Sequence, residues 1–288
     1  MASSVSTVVV DGKSLAQDIR SEIAAEVAAL VDAGHRPPCL AVVLVGNDPA
    51  SASYIKGKRR ASGRAGMASV ERNLPGDASQ EDVLALVAEL NADHAVYGIL
   101  VQLPLPDAVD PDAVAEAIDP AKDVDGLHPV NSGRLMANQP GLYPCTPLGI
   151  LEVLDRHGVK LEGTRAVVIG RSAIVGKPVS LLLLHRSATV TVCHSRTRDL
   201  PALCREADVL VAAVGRARMV GPDWVKPGAA VIDVGVNVID DKLVGDVDFE
   251  GLQGVASLLT PPRGGIGPMT ITMLLRNTVA AYRARVGV

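Results

Sequence analysis

The sequence predicts an α/β protein of two domains, an N-terminal α/β substrate domain and a C-terminal Rossmann-like, doubly wound sheet, with a cleft between them. Three features of the chain point there. Its 288 residues suffice for two domains of ordinary size. Apolar runs of strand length alternate with helical segments, as in a parallel or mostly parallel sheet. Ala166 to Pro178 reads as strand, glycine-rich turn and helix, an arrangement in which backbone N–H groups and a helix N-terminus can meet a pyrophosphate.

In the first half, Ser14 to Ala33 reads as a helix ending at Gly34, and Leu40 to Val45 as a buried strand leaving through the turn Gly46-Asn47-Asp48-Pro49. The next stretch, Ser51 to Lys58, is the start of a helix on which Ser51, Tyr54 and Lys58 share one face. Aromatic residues make up only 2% of the chain, so Tyr54 is a candidate platform for a flat substrate. Lys58, desolvated in a cleft wall, could offer a free amine for proton transfer. The same stretch also reads as a solvated basic helix beside a strand. Ala68 to Asn73 is a further strand, and Ser79 with Asp82 has capping-box spacing ahead of a helix to about Asn91. Tyr97 to Leu103 is the next strand. Ligands of such sheets sit at the carboxyl ends of the strands, where Gln102 could orient a lysine amine or a water, or serve structure alone.

Lys122-Asp123-Val124-Asp125-Gly126 is a tight acidic turn. Its two carboxylates lack further oxygen ligands at loop spacing, so no metal is expected. Asp125 could accept two N–H bonds from an amino-pyrimidinone edge, or the segment could be a surface turn. Thr146 and Pro147 suit the N-cap and first position of a helix to about His157, and the domain boundary is placed here. This divides the chain into domains 1–146 and 147–267, with a final helix at 268–288. In the second domain Gly170, Arg171 and Ser172 form the turn, and Thr189–Cys193, Asp208–Ala213 and Ala229–Val234 are the following strands. The end of the domain's second strand, Cys193-His194-Ser195-Arg196-Thr197, lacks the acidic residue that reads ribose hydroxyls in NAD sites. Ser195, Arg196 and Arg171 suit a 2'-phosphate, so NADP is favoured over NAD. The backbone at Val236 could line the nicotinamide, and the loop holding Gly264 and Gly265 either lets backbone approach a ligand or simply leads into the last helix.

Composition narrows the function classes. A net charge of -4 without charge runs argues against nucleic acid, and no apolar run approaches membrane-spanning length. Met1 to Thr7 is neither basic nor apolar enough for a secretory signal. Four widely spaced cysteines are most simply free thiols of a reducing cytoplasm.

Six motifs in order, namely Ser51-x-x-Tyr54-x-x-x-Lys58, Val101-Gln102-Leu103-Pro104, Lys122 to Gly126, Pro144-Cys145-Thr146-Pro147, Gly170-Arg171-Ser172 and Gly264 to Thr270, span effectively the whole chain. Together they resemble the methylenetetrahydrofolate dehydrogenase/cyclohydrolase family, called FolD in bacteria. The resemblance implies NADP-dependent oxidation of 5,10-methylenetetrahydrofolate to the methenyl form and its hydrolysis to 10-formyltetrahydrofolate in one cleft. It implies that Tyr54 stacks on the folate, Lys58 is the central acid/base residue, Gln102 tunes it and Asp125 holds the pterin. Leu103, Gly264 and Gly265 would complete the substrate site. Gly170, Arg171, Ser172, Ser195, Arg196 and the backbone near Val236 would bind the cofactor. A homodimer, with the C-terminal helix returning to the N-terminal domain, is also implied. Pro262-Arg263 departs from the family's usual Val-Pro before the last Gly-Gly. Three other readings are a monofunctional NADP dehydrogenase, a non-catalytic folate or nucleotide sensor, and a two-domain dehydrogenase of amino or hydroxy acids. The Tyr54, Lys58 and Gln102 set argues against the first, an absorbance assay separates the second, and the third lacks an identifiable carboxylate-binding arginine.

Overall fold

The structure is a computed structural model that describes residues 5–46 and 49–288, the side chains of residues 49–54 excepted. In chain order its first elements are β1 (Val8–Val9), α1 (Gly12–Asp32), β2 (Cys39–Val45), α2 (Pro49–Arg64), β3 (Ala68–Leu74), α3 (Gln80–Ala92), β4 (Gly98–Val101), α4 (Pro111–Ala117) and α5 (Pro129–Met136). There follow α6 (Cys145–Arg156), β5 (Arg165–Ile169), α7 (Gly176–His185), β6 (Thr189–Cys193), α8 (Leu200–Arg205) and β7 (Val209–Ala212). The chain closes with β8 (Ala230–Asp233), β9 (Asn237–Ile239), β10 (Lys242–Val244), β11 (Leu258–Leu259) and α9 (Gly267–Val286). These fall into two compact units. One joins the described residues up to Ala16 with Thr146–Thr270, and the other joins Gln17–Cys145 with Ile271–Val288.

In the second of these units the sheet order is β3-β2-β4, all parallel. Every residue of β2 is buried, which is why it appears in the sequence as an unbroken apolar run rather than an alternating one. Helix α3 covers it with Val83, Val87 and Leu90, a spacing of four and three that places them on one helix face. The capping box is present: Asp82 N–H donates to Ser79 Oγ at 3.2 Å, and Ser79 N–H donates to the Asp82 carboxylate at 3.0 Å. The far end of α3 is closed by a residue distant in sequence. Lys122, 1% exposed, donates from Nζ to the carbonyls of Leu90, Asn91 and Asp93 at 2.9, 2.7 and 2.7 Å. An ammonium there satisfies carbonyls that the helix cannot, and it complements the negative end of the helix dipole.

The other unit holds a six-stranded sheet of order β1-β11-β8-β7-β5-β6, parallel throughout. Its apolar core packs Val167, Ile169, Leu210 and Val231 from the strands against Leu252 and Ala256. In both sheets one strand is flanked by the next two in the sequence: β2 lies between β3 and β4, and β5 between β6 and β7. Strand order therefore reverses there, leaving a crevice at the carboxyl ends.

Three features differ from the sequence expectation. Strand β1 pairs with β11 and Val10 N–H donates to Leu259 O at 2.9 Å, so the segment before Gln17 clusters with the six-stranded unit. A two-residue strand leaves no periodicity to detect. The antiparallel hairpin of β9 with β10, strands of three residues each, is likewise too short to show a period. Thr146 lies inside the first turn of α6 instead of capping it, and its hydroxyl shares a hydrogen bond of 2.9 Å with that of Thr270.

Candidate functional site

At the first crevice, α2 leaves the end of β2 and carries Lys58, while Gln102 directly follows β4. Gln102 is tied by its backbone to the neighbouring strand, donating from N–H to Val43 O at 2.9 Å. Its side chain is fixed at both ends. Nε2 donates to Leu103 O at 2.6 Å, which leaves Oε1 to accept from Lys58 Nζ at 2.8 Å.

The acidic turn is brought alongside β4. Ile99 N–H donates to Lys122 O at 2.8 Å, and Ile99 forms a parallel bridge with Asp123. This short extension places Asp125 near the end of β4. The turn itself uses the other carboxylate: buried Asp123 accepts N–H bonds from Gly126, Leu127 and His128 and from Asn131 Nδ2. Asp125 is left to interact with Lys58. Together with Ile99, Val101, Leu103 and Leu127 it lines a recess of about 30 Å³.

Burial shapes the electrostatics of this group. Desolvation pulls the Lys58 pKa below its usual 10.5, and the Asp125 charge opposes that shift. Burial pushes the Asp125 carboxyl up, with Lys58 pulling it back. The Cys145 thiol is raised well above its normal value, first by burial and then by Asp125, and donates from Sγ to Val124 O at 3.3 Å. It is held as a thiol. Tyr54 belongs to α2, but its side chain lies outside the described residues, as does that of Ser51. Gly264 and Gly265 lie in the six-stranded unit, against Gly12 at the start of α1, where a Cβ on Gly12 would overlap the Gly265 carbonyl.

At the second crevice a cavity of about 580 Å³ opens at the ends of β5, β6 and β7. Gly170, at φ +124°, must be glycine because a Cβ would strike the Ala213 carbonyl. Ser172 shapes the turn, its Oγ accepting from the N–H groups of Val175 and Gly176 at 3.1 and 3.2 Å at the start of α7. After β6, His194 N–H donates to Thr197 Oγ1 at 2.8 Å and Arg196 N–H to His194 Nδ1 at 3.1 Å. That preformed turn presents Ser195 to the cavity.

Of the residues expected to meet a cofactor, Gly170, Arg171 and Ser195 line this cavity. Ser172, Arg196 and Val236 do not line it, and the Val236 side chain is 68% exposed. The cavity also includes His194, Thr197, Arg216 and Trp224, none of which sequence reasoning selected. Arg216 had a readable signal. Val214-Gly215-Arg216 after β7 repeats the pattern of Ile169-Gly170-Arg171 after β5, a strand leading into Gly-Arg. No carboxylate is among the residues lining it.

Residues 10–125 match the family pattern described as tetrahydrofolate dehydrogenase/cyclohydrolase, catalytic domain, and residues 144–286 match that family's NAD(P)-binding domain. The bifunctional protein FolD 2 of Frankia casuarinae is 55% identical over 283 residues, 98% of each chain. Among solved structures, the bifunctional FolD enzyme of Campylobacter jejuni is 45% identical, with a TM-score of 0.94 over 97% of this chain and 100% of its own. The Trypanosoma brucei FolD, crystallised with NADP cofactor and inhibitor, is 39% identical, with a TM-score of 0.92 over 98% and 99% of the two chains. With both halves matched in order and the identity maintained from end to end, this chain belongs to the tetrahydrofolate dehydrogenase/cyclohydrolase family.

Proposed function

We propose that Lys58, held by Gln102, is the acid/base centre of the hydrolytic step, and that the cavity at the ends of β5, β6 and β7 takes the nucleotide. The chain is a bifunctional enzyme of folate one-carbon metabolism. It oxidises 5,10-methylenetetrahydrofolate to 5,10-methenyltetrahydrofolate with NADP and hydrolyses the product to 10-formyltetrahydrofolate. The observation that carries the site assignment is the 2.8 Å bond from Lys58 Nζ to Gln102 Oε1, beside Asp125 and at a strand-order reversal.

The residues of the cavity suit NADP. Arg171, Arg216 and Ser195 offer two guanidinium groups and a hydroxyl for phosphate, and no lining carboxylate would repel a 2'-phosphate. When bound, NADP supplies the acceptor for the hydride. Departure of hydride from the methylene carbon is driven by an adjacent nitrogen lone pair, so this step needs alignment more than a dedicated base. The preformed turns at 170–176 and 194–197 suit that task.

Hydrolysis has a different requirement. Water adds to the methenyl carbon and loses a proton, a ring C–N bond breaks, and the released nitrogen gains a proton. Lys58 as free amine takes the first proton and as ammonium returns one, while Gln102 Oε1 keeps Nζ in place. Burial favours the amine form that begins the cycle. Asp125, free of the turn that occupies Asp123, accepts the N–H pair of the pterin edge. Tyr54 stacks on the folate, with Leu103 and the Gly264-Gly265 backbone as further contacts.

This reading includes a homodimer in the cytoplasm. Val238, Ile239 and Leu243 on the hairpin are 66%, 44% and 44% exposed, an apolar patch of the type that meets another protein surface. Sedimentation of Val238→Asp with Leu243→Asp should show a monomer where the unsubstituted chain is dimeric. The four buried cysteines are free, as a reducing compartment would keep them. Among the described residues no helix is long and apolar enough to cross a membrane.

The activity is tested by following NADPH formation and methenyl decay separately by absorbance. The expected result is reduction of NADP followed by methenyl decay faster than the uncatalysed rate. Decay at the uncatalysed rate would remove Lys58 from its assigned role.

A further inference from the structure

We propose that Asp246 is a positioning residue of the dehydrogenase half, its buried carboxylate acting as the template on which the turn Val214-Gly215-Arg216 of the nucleotide cavity is folded. The inference rests on reading that cavity as the NADP site. Three successive backbone N–H groups converge on this one side chain. Val214 and Gly215 donate to Oδ2 at 2.6 and 3.0 Å, and Arg216 donates to Oδ1 at 2.8 Å. Successive N–H groups curled around an anion form a nest, here closed by the protein's own carboxylate.

The carboxylate is held as firmly as the turn that it holds. Asp246 is 0% exposed, and Asn237 Nδ2 donates to Oδ1 at 3.0 Å. Its backbone N–H donates to Asp233 Oδ1 at 2.9 Å, and Val247 N–H donates to Asp233 Oδ2 at 3.1 Å. Gly235 and Gly245 leave the space for both acids: a Cβ on Gly235 would overlap the Asp246 carboxylate, and one on Gly245 the Asp233 carboxylate. Burying a charge is costly unless its lone pairs are matched by donors, and Asp246 has four. Its neighbour Asp233 is pushed up to about 6 by burial, with the Asp246 charge adding to the shift.

The link to function is direct. Val214 and Arg216 both line the cavity, so the same three bonds that order the turn set where the Arg216 guanidinium starts. An asparagine at 246 has one oxygen, and its NH₂ group would face an N–H of the turn in place of an acceptor.

The chain has a built-in reporter, because its single tryptophan, Trp224, lines the same cavity. NADPH titrated into the unsubstituted enzyme should quench Trp224 fluorescence. In Asp246→Asn the Kd should rise about tenfold with the same final quench, and the KM for NADP should rise in parallel while kcat at saturation changes less than about threefold. Methenyl hydrolysis, which uses no nucleotide, should stay within about twofold. A merely structural role would lower both activities together. Absence of quenching in the unsubstituted enzyme would overturn the cavity assignment. Quenching there, with the Asp246→Asn Kd within about twofold, would overturn the role of Asp246 alone. If Asp246→Asn does not fold, Asn237→Ala removes one donor to the same carboxylate. About threefold weaker NADPH binding then supports the template, and unchanged binding overturns it.

Discussion

The two strand-order reversals are alike in topology and differ in what they present. The end of β2 and β4 presents side chains: Lys58 Nζ on Gln102 Oε1, with Asp125 beside it. At the end of β5, β6 and β7 the main elements are turns, Gly170 pressed against Ala213 and three N–H groups collected by Asp246. Proton transfer needs a titratable group whose pKa is moved, whereas hydride transfer needs two carbons held in line. The proposed division of labour fits this difference, ionisable residues in one crevice and glycines and buried acceptors in the other.

The contrast is broken most sharply by Lys58→Met. Loss of general acid/base help should lower methenyl hydrolysis about 10²- to 10⁴-fold, with NADPH affinity unchanged by Trp224 fluorescence. An equal loss of NADPH binding would mean that the two functions are not separable in this way. Next in size is Gly170→Ala, which adds a Cβ where φ is +124° and the Ala213 carbonyl is in contact. NADPH should bind about tenfold more weakly, and hydrolysis should persist; a titration unaltered by the change would show that the turn can yield.

The smallest effect lies in pH dependence. Because the Lys58 pKa is below 10.5, the amine fraction and the hydrolysis rate should rise with pH, with a midpoint below that value. The unfolded chain binds more protons in that interval, so this residue's contribution to stability also rises with pH through it. Asp125→Asn removes a charge that favours the ammonium, and the ascending limb of kcat/KM should move to lower pH. A limb that stays in place would assign the titration to another group.

The sequence was most legible where one local pattern determines one element. Strand β2 is buried on both faces and could be read as an apolar run, the capping box of α3 spans four residues, and Gly170 sits at the end of a strand. Lys58, Gln102 and Asp125 were selected as separate residues, and the fold brings them to one crevice. What could not be read depends on partners far along the chain. Lys122 looks like a surface lysine until the carbonyls of Leu90, Asn91 and Asp93 surround it. Asp246 stands in a segment of short strands, and its three donors are about thirty residues away, as the sequence separations of 30 to 32 show. Nothing local distinguishes Asp123, which ties its own turn, from Asp125, which does not.

The anchoring of Lys122 has a consequence for register. A shorter or uncharged residue in place of Lys122 would leave three main-chain carbonyls unmatched, so this lysine pins the register of Lys122-Asp123-Val124-Asp125. A one-residue insertion between Lys122 and Asp125 would disturb the division of duties between the two acids. On the proposed assignment of Asp125, the helix-end carbonyls that hold Lys122 thereby also set where the pterin would be met.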